Sequence, residues 1–214
     1  MTKIGNETLR KPQWLHKKIF FKERREVENL LGEIGIHTVC QEAMCPNISE
    51  CFHKKQATFM ILGNICTRAC TFCSVDRGHP NELDLAEPEK VARAVKAMGL
   101  RHVVITSVTR DDLKDGGALQ FKQCVERIKQ DDPTVSVELL IPDLRNAQES
   151  LRVVAESNAD IIGHNIETVP RLYDVRKGSS YQRSLEVLQS IKKLNPTCKT
   201  KSALMLGFDG FSAA

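Results

Sequence analysis

Residues 57–73, Ala-Thr-Phe-Met-Ile-Leu-Gly-Asn-Ile-Cys-Thr-Arg-Ala-Cys-Thr-Phe-Cys, decide how the rest of the chain is read. The apolar run 57–63 predicts a buried strand. The loop behind it carries three thiols, Cys66, Cys70 and Cys73, spaced C-x3-C-x2-C. A cubane iron–sulfur cluster takes four ligands, normally four cysteine thiolates. Three on one short loop leave one iron open to a small molecule, so the spacing points to chemistry rather than electron storage. Zinc is the competing reading. Zinc sites usually pair C-x2-4-C with a second ligand pair a dozen or more residues away, and no such pair follows.

A second thiol array precedes the strand. Cys40-Gln-Glu-Ala-Met-Cys45-Pro-Asn-Ile-Ser-Glu-Cys51 is C-x4-C-x5-C, too dense for ordinary structural cysteines. His37 and His53 flank it, so spacing alone leaves a Cys3His zinc site open here. Further upstream, 22–34 predicts a helix with Val27, Leu30, Leu31 and Ile34 on one face, stopped by Gly35. Residues 1–21 read as an extended arm anchored by Trp14 and Leu15.

Downstream, helical stripes alternate with apolar runs. A helix begins near Asp84, with Pro88 in its first turn, where the missing N–H costs nothing. Val91, Ala94, Val95 and Met98 form its stripe, and Gly99-Leu100 its C-terminal cap. Strands are expected at 102–107, 135–141, 160–163 and 200–206. Helices are expected at 117–129 (Leu119, Val125 and Ile128 inward), 146–157 and 184–193 (carrying Leu185, Leu188 and Ile191). Strands separated by helices of this length predict parallel βα units. Ligands in such folds bind at the carboxyl ends of the strands. The first cysteine loop, Thr106, Ser107, Asn165 and Glu167 all fall there. Cys124 and Cys198 read as packing residues.

Composition excludes several classes. A net charge of +4, from 31 basic and 27 acidic residues, is too mild to argue for nucleic acid. No apolar segment approaches the roughly 20 residues that cross a bilayer, and the N-terminus lacks the apolar core of a signal peptide. The expectation is a cytoplasmic chain with no membrane partner, in which the glycosylation triplets at Asn6 and Asn47 are chance matches. Eight cysteines in such a chain indicate metal or redox chemistry rather than disulfides.

With both arrays in view, the chain resembles the lipoyl synthases of the radical S-adenosylmethionine (SAM) superfamily. The resemblance runs from about Lys11 to Gly207. Besides the two arrays and 57–63, it is carried by 101–108 (Arg-His-Val-Val-Ile-Thr-Ser-Val), 110–118 (Arg-Asp-Asp-Leu-Lys-Asp-Gly-Gly-Ala), 164–173 (His-Asn-Ile-Glu-Thr-Val-Pro-Arg-Leu-Tyr) and 200–207 (Thr-Lys-Ser-Ala-Leu-Met-Leu-Gly). It implies an α/β fold, a partial (β/α) TIM-like barrel of parallel strands. Residues 1–56 would form the N-terminal arm and auxiliary-cluster segment, 57–207 the radical SAM core and 208–214 an atypical tail.

The resemblance also implies a reaction. Cys66, Cys70 and Cys73 would hold a [4Fe-4S] cluster that chelates SAM, and its one-electron cleavage would release a 5′-deoxyadenosyl radical. That radical would take hydrogen from two carbons of an octanoyl chain on a lipoyl-domain or carrier protein. Cys40, Cys45 and Cys51 would hold an auxiliary [4Fe-4S] cluster that donates the sulfur. Thr106 and Ser107 would lie near the methionine end of SAM, Asn165 and Glu167 at the ribose, and Arg183 at the carboxylate. A flavodoxin or ferredoxin would supply electrons.

Relative to that family the chain ends early. After Gly207, where the family usually continues with Gly-Glu, stands Phe-Asp-Gly-Phe-Ser-Ala-Ala214. By the resemblance, a last strand and its helices are missing, with a serine that caps the auxiliary cluster; Ser212 lacks the matching context. The expected result is an edge strand that bares Leu204, Met205 and Leu206. Leaving two of these uncovered forfeits about 3–6 kcal/mol, so poor solubility is expected. The alternative to an active enzyme is a truncated, cluster-binding remnant or an iron–sulfur electron-transfer or assembly protein.

Overall fold

Side chains along each central strand alternate between two environments, and this alternation builds the body of the protein. Thr58, Met60, Val104, Thr106, Glu138 and Leu140 face an interior cavity. Their neighbours Phe59, Ile61, Val103, Ile105, Val137 and Leu139 are completely buried on the other face. A pleated strand imposes this period of two. Occupation of both faces is typical of parallel sheets, whose crossovers lay helices on the outside.

The computed structural model describes Pro12, Gln13, His16 and 18–207. Trp14 and Leu15 of the expected arm, and the tail with Ser212, lie outside the described residues. In chain order the elements are α1 (Phe21–Ile34), β1 (His37–Thr38), α2 (Val39–Glu42), α3 (Ile48–His53), β2 (Thr58–Ile61), β3 (Ile65–Cys66) and β4 (Asp76–Arg77). Then come α4 (Glu87–Met98), β5 (His102–Ser107), α5 (Ala118–Asp131), β6 (Ser136–Leu140), α6 (Gln148–Ala155), β7 (Ile161–Gly163), α7 (Tyr181–Leu194) and β8 (Lys199–Lys201). The main sheet runs β1-β2-β5-β6-β7-β8, and β3 and β4 form a small sheet of their own. From β2 to β8 every neighbour is parallel, with Met60, Thr106 and Leu140 in register, and Leu140, Gly163 and Lys201 likewise. Only β1 is antiparallel. This is the expected parallel βα architecture, with one short edge strand that its two residues were too few to announce.

Local chemistry sets the element ends. Gly99, at φ 62°, closes α4 in the left-handed conformation, and the Leu100 amide donates to the Val95 carbonyl at 3.1 Å. Helix α7 starts three residues before the expected 184, because Ser180 caps it by accepting from the Arg183 amide at 3.2 Å.

Two expectations need correction. Leu119 is 53% exposed rather than inward. Helix α5 starts at Ala118, and its buried spokes are Ala118, Phe121, Cys124, Val125 and Ile128, which leaves Leu119 on the outer flank. The last strand is not 200–206 but Lys199–Lys201. A strand persists only where a neighbour accepts its hydrogen bonds, and β7 ends at Gly163. Beyond it, Leu204 makes one isolated bridge to Glu167, while Leu204 and Leu206 are 58% and 96% exposed.

Candidate functional site

The turn that leads from β2 into the first cysteine loop is fixed from below. Leu62 takes a left-handed conformation, φ 68°. Its amide donates to Glu87 at 2.8 Å, and its carbonyl accepts from Arg110 at 3.2 Å. Glu87 is buried and also accepts from Gln120. Burial pushes the Glu87 carboxyl up, and the bonds from Leu62, Gln120 and Gly63 partly offset this.

The loop then enters a cavity of about 570 Å³ at the carboxyl ends of the strands, lined by Cys66, Cys70 and Cys73. The Cys66 sulfur accepts from the amides of Arg68 and Thr109, each at 3.4 Å. Burial pushes the Cys70 thiol up; the Arg176 cation opposes this, and Cys66 and Cys73 add to it. All three thiols line this one cavity.

The same cavity gathers Thr106, Ser107, Asn165 and Glu167. The two hydroxyls differ. Thr106 donates to the Leu140 carbonyl at 2.8 Å, whereas the Ser107 hydroxyl is buried with no partner. Glu167 holds a left-handed backbone, φ 69°, fixed by the 203–205 segment: its amide donates to Ala203, and the Met205 amide donates to its carbonyl at 2.7 Å. A non-glycine residue in that region stores strain that clusters at functional sites. Burial raises the Glu167 carboxyl, against the Arg176 charge.

Arg183 is not among the cavity residues. Its guanidinium donates to Asp143 at 3.2 Å and to the Gly178 carbonyl at 2.9 Å. Besides Arg68 of the cysteine loop, the arginine that lines the cavity is Arg176, which sequence reasoning missed. It donates to the Asn165 carbonyl, to the Tyr173 hydroxyl at 3.0 Å and to Ser184 at 3.1 Å. Nothing in spacing separates the two arginines; only the fold-back of 165–176 onto the strand ends does.

The second array lies at the opposite end of the strands. Thr38 caps α2, which carries a buried Cys40; Cys45 sits in the following turn and Cys51 in α3. Cys40 and Cys51 line a second cavity of about 570 Å³, beside 99–102 at the start of β5. Burial pushes the Cys40 thiol up, and Cys45 and Cys51 add to this. Thr58 and Val104 line both cavities, so the two meet at β2 and β5. From His102 to Ser107 that wall is about 17 Å long at 3.3 Å per residue.

Zinc draws its ligands to about 2.0–2.3 Å of one point. Among the described residues, no three His, Cys, Asp or Glu side chains converge in that way. His37 and His53 are engaged elsewhere, with Glu42 at 2.9 Å and Glu23 at 3.2 Å. A four-iron cluster instead gives each thiolate its own iron, which suits thiols spread along a loop. The unpartnered Ser107 hydroxyl, facing the same cavity, leaves a hydrogen-bonding group for a ligand. No helix among the described residues is long and apolar enough to cross a membrane.

Comparison with known proteins agrees with this geometry. The model of the radical SAM superfamily matches residues 60–213. A lipoyl synthase of Geobacter sp. (strain M21) is 55% identical over 201 residues, which cover 94% of this chain and 69% of that one. A lipoyl synthase of Caldanaerobacter subterraneus is 51% identical over 201 residues, covering 94% and 70%. Among solved structures, methylornithine synthase superposes with a TM-score of 0.51 at 13% identity, over 86% of this chain and 56% of that one, a likeness of fold alone. A parallel βα body with a three-cysteine loop at its strand ends, together with half of its residues shared with these relatives, places this chain in the lipoyl synthase family of radical SAM enzymes.

Proposed function

We propose that this chain inserts two sulfur atoms into the octanoyl chain of an octanoylated lipoyl-domain protein, forming the protein-bound lipoyl group. Membership of the family brings SAM and [4Fe-4S] chemistry with it. The supporting observation is the single cavity that collects Cys66, Cys70 and Cys73 with Ser107, Asn165, Glu167 and Arg176. When bound, SAM and its cluster would supply the radical that removes hydrogen from the octanoyl chain.

The chain's own residues would hold and orient. Cys66, Cys70 and Cys73 would be the ligands of the SAM-binding cluster, and Cys40, Cys45 and Cys51 those of the sulfur-donating one. Asn165 and Glu167 would bind the ribose hydroxyls, with one amide and one carboxylate suited to them. Ser107 would bond the methionine end, with Thr106 behind it held by the Leu140 carbonyl. Arg176 replaces Arg183 as the partner of the SAM carboxylate, since a planar fork suits that group. Met60, Val104 and Leu140 give the cavity apolar walls on which an acyl chain can lie. The substrate would be an octanoylated carrier protein, and the reductant a flavodoxin or ferredoxin.

Anaerobic reconstitution tests this. Replacing Cys66, Cys70 and Cys73 with alanine should abolish formation of 5′-deoxyadenosine. Replacing Cys40, Cys45 and Cys51 should spare SAM cleavage but abolish sulfur insertion into an octanoylated lipoyl domain. Unchanged iron and sulfide in both variants sinks the reading. A second reading is an electron-transfer or assembly protein that keeps its clusters without sulfur insertion. The Lys201 side chain favours it, being 57% exposed at the β8 edge although it lines the cavity. SAM cleavage without thiolated product would select that reading.

A further inference from the structure

Arg68 stands in the first cysteine loop, between Cys66 and Cys70, yet its side chain is only 7% exposed. Its guanidinium makes two forks at once. One grips Asp111, with Nε to Oδ2 at 2.7 Å and Nη2 to Oδ1 at 2.9 Å. The other grips Asp143, with Nη1 to Oδ2 at 2.9 Å and Nη2 to Oδ1 at 2.7 Å. A guanidinium has five N–H donors in a fixed fan. With four engaged this way, the group is a brace and not a hook for a ligand.

The brace reaches four loops. Asp111 follows β5, and its amide donates to Thr67 at 3.1 Å. Asp143 follows β6, is fully buried, and also accepts from Ser179 at 2.7 Å and Arg183 at 3.2 Å. Arg68 and Arg183 therefore balance Asp111 and Asp143 in charge, which a buried ionic group requires. Gly178 lies against the brace, where a β-carbon would stand 3.0 Å from the Arg68 Cδ. On the far side, the Thr71 amide donates to the Val175 carbonyl at 2.9 Å, one residue before Arg176.

We propose that Arg68, through its forks to Asp111 and Asp143, is a positioning residue that fixes the geometry of the Cys66–Cys73 loop against Arg176. Two consequences follow from the bonds themselves. The amide of Arg68 is one of the two donors to the Cys66 sulfur, and Thr109, which carries the other, is tied to the loop by the Thr67 amide at 3.0 Å. Hydrogen bonds to cluster sulfurs set reduction potential. The brace also fixes the distance between Arg176 and the open side of the triad, and so the affinity for a ligand that must touch both. The inference rests on reading the triad as the SAM-binding cluster.

Arg68→Lys keeps the charge and gives up both forks; Asp111→Asn keeps the shape and weakens one. Each is made in the full chain and reconstituted anaerobically with iron and sulfide. We expect iron to stay at the Cys40, Cys45 and Cys51 triad, the midpoint potential of the Cys66 cluster to move beyond replicate scatter, and the Kd for SAM to rise at least tenfold. Arg68→Lys should exceed Asp111→Asn. Unchanged potential, unchanged electron paramagnetic resonance on adding SAM and unchanged Kd in both variants overturn the proposal. Loss of iron from both triads together with the thermal transition also overturns it, since that marks a folding role only. Cys66→Ala is the control. If it keeps a cluster at its own triad, the cluster reading itself fails, whereas wild-type behaviour of the Arg68 and Asp111 variants leaves that reading standing.

Discussion

Acidification should destabilise this protein through one buried imidazole. His164 is 1% exposed, just beyond β7. Its Nδ1 lies 2.9 Å from the Ile141 carbonyl and its Nε2 3.0 Å from the Ser184 hydroxyl. A carbonyl accepts only, so Nδ1 carries the proton and Nε2 accepts from Ser184. A second proton on Nε2 would confront that hydroxyl and the Arg176 cation bonded to it. Burial, with the Arg176 charge, pushes the pKa down to about 4. The unfolded chain has an ordinary value of about 6.5. Between those values the unfolded state binds the proton and the folded state does not, so stability falls as pH falls. The gap of about 2.5 pH units, at 1.36 kcal/mol each, amounts to about 3 kcal/mol. That stability is fully present above pH 6.5 and lost by pH 4. Urea titrations at half-unit steps over this range measure it, with His164→Gln as reference. The variant should be about 1–3 kcal/mol less stable at pH 7, because it orphans buried partners. Its pH slope should be smaller by up to one proton. Parallel loss of stability in the two proteins from pH 6.5 to 4 would refute the argument.

Three further outcomes follow from single residues. Leu206→Glu should change the unfolding free energy from a urea titration by no more than about 0.5 kcal/mol while raising the soluble fraction, since Leu206 is 96% exposed; a loss above about 1 kcal/mol would mean that the side chain is covered. Glu87→Ala should cost about 1–3 kcal/mol in a denaturant titration, as it leaves the Leu62 amide unsatisfied in the interior. Gly178→Ala should cost more than about 1 kcal/mol, because φ is 79° and the new methyl meets Arg68; a neutral result in thermal melts would show that the brace is loose.

Much of the body was legible because its signals are local. The apolar run in 102–107 and the stripe of Val91, Ala94, Val95 and Met98 each need one element to be read, and both elements are present. The cysteine loop and Ser107, Asn165 and Glu167 were placed together by one topological rule, that strand carboxyl ends share a face. What escaped was long-range. Strand β1 exists only because β2 accepts it. The sequence reads 204–206 as strand from composition, but no described strand lies there to pair with it. Arg176 and Arg183 look alike along the chain, and Asp143, 40 residues away, takes Arg183 out of the cavity. The Arg68 brace had a readable hint, a large cation inside a thiolate-rich loop, but its partners lie 43 and 75 residues further on.

The opposed placement of the two cysteine arrays follows from their order around one strand. The C-x4-C-x5-C array ends before β2 begins, and the C-x3-C-x2-C array starts after β2 ends. A parallel strand carries the chain from one end of the sheet to the other, so arrays that flank it must sit at opposite ends. Their separation is then set by strand length, about 3.3 Å per residue, and not by the loops. The apolar wall between them, Met60, Val104 and Leu140, belongs to the same alternation that buries Phe59, Val103 and Leu139 outside. A one-residue deletion within 58–61 would therefore act twice. It would draw the arrays together by one step, and it would turn Met60 outward and Phe59 into the cavity. On the proposed function, two thiol triads would act on one chain held between them and would depend on that strand keeping its length, so that the stretch that decides the fold would also set the distance across the site.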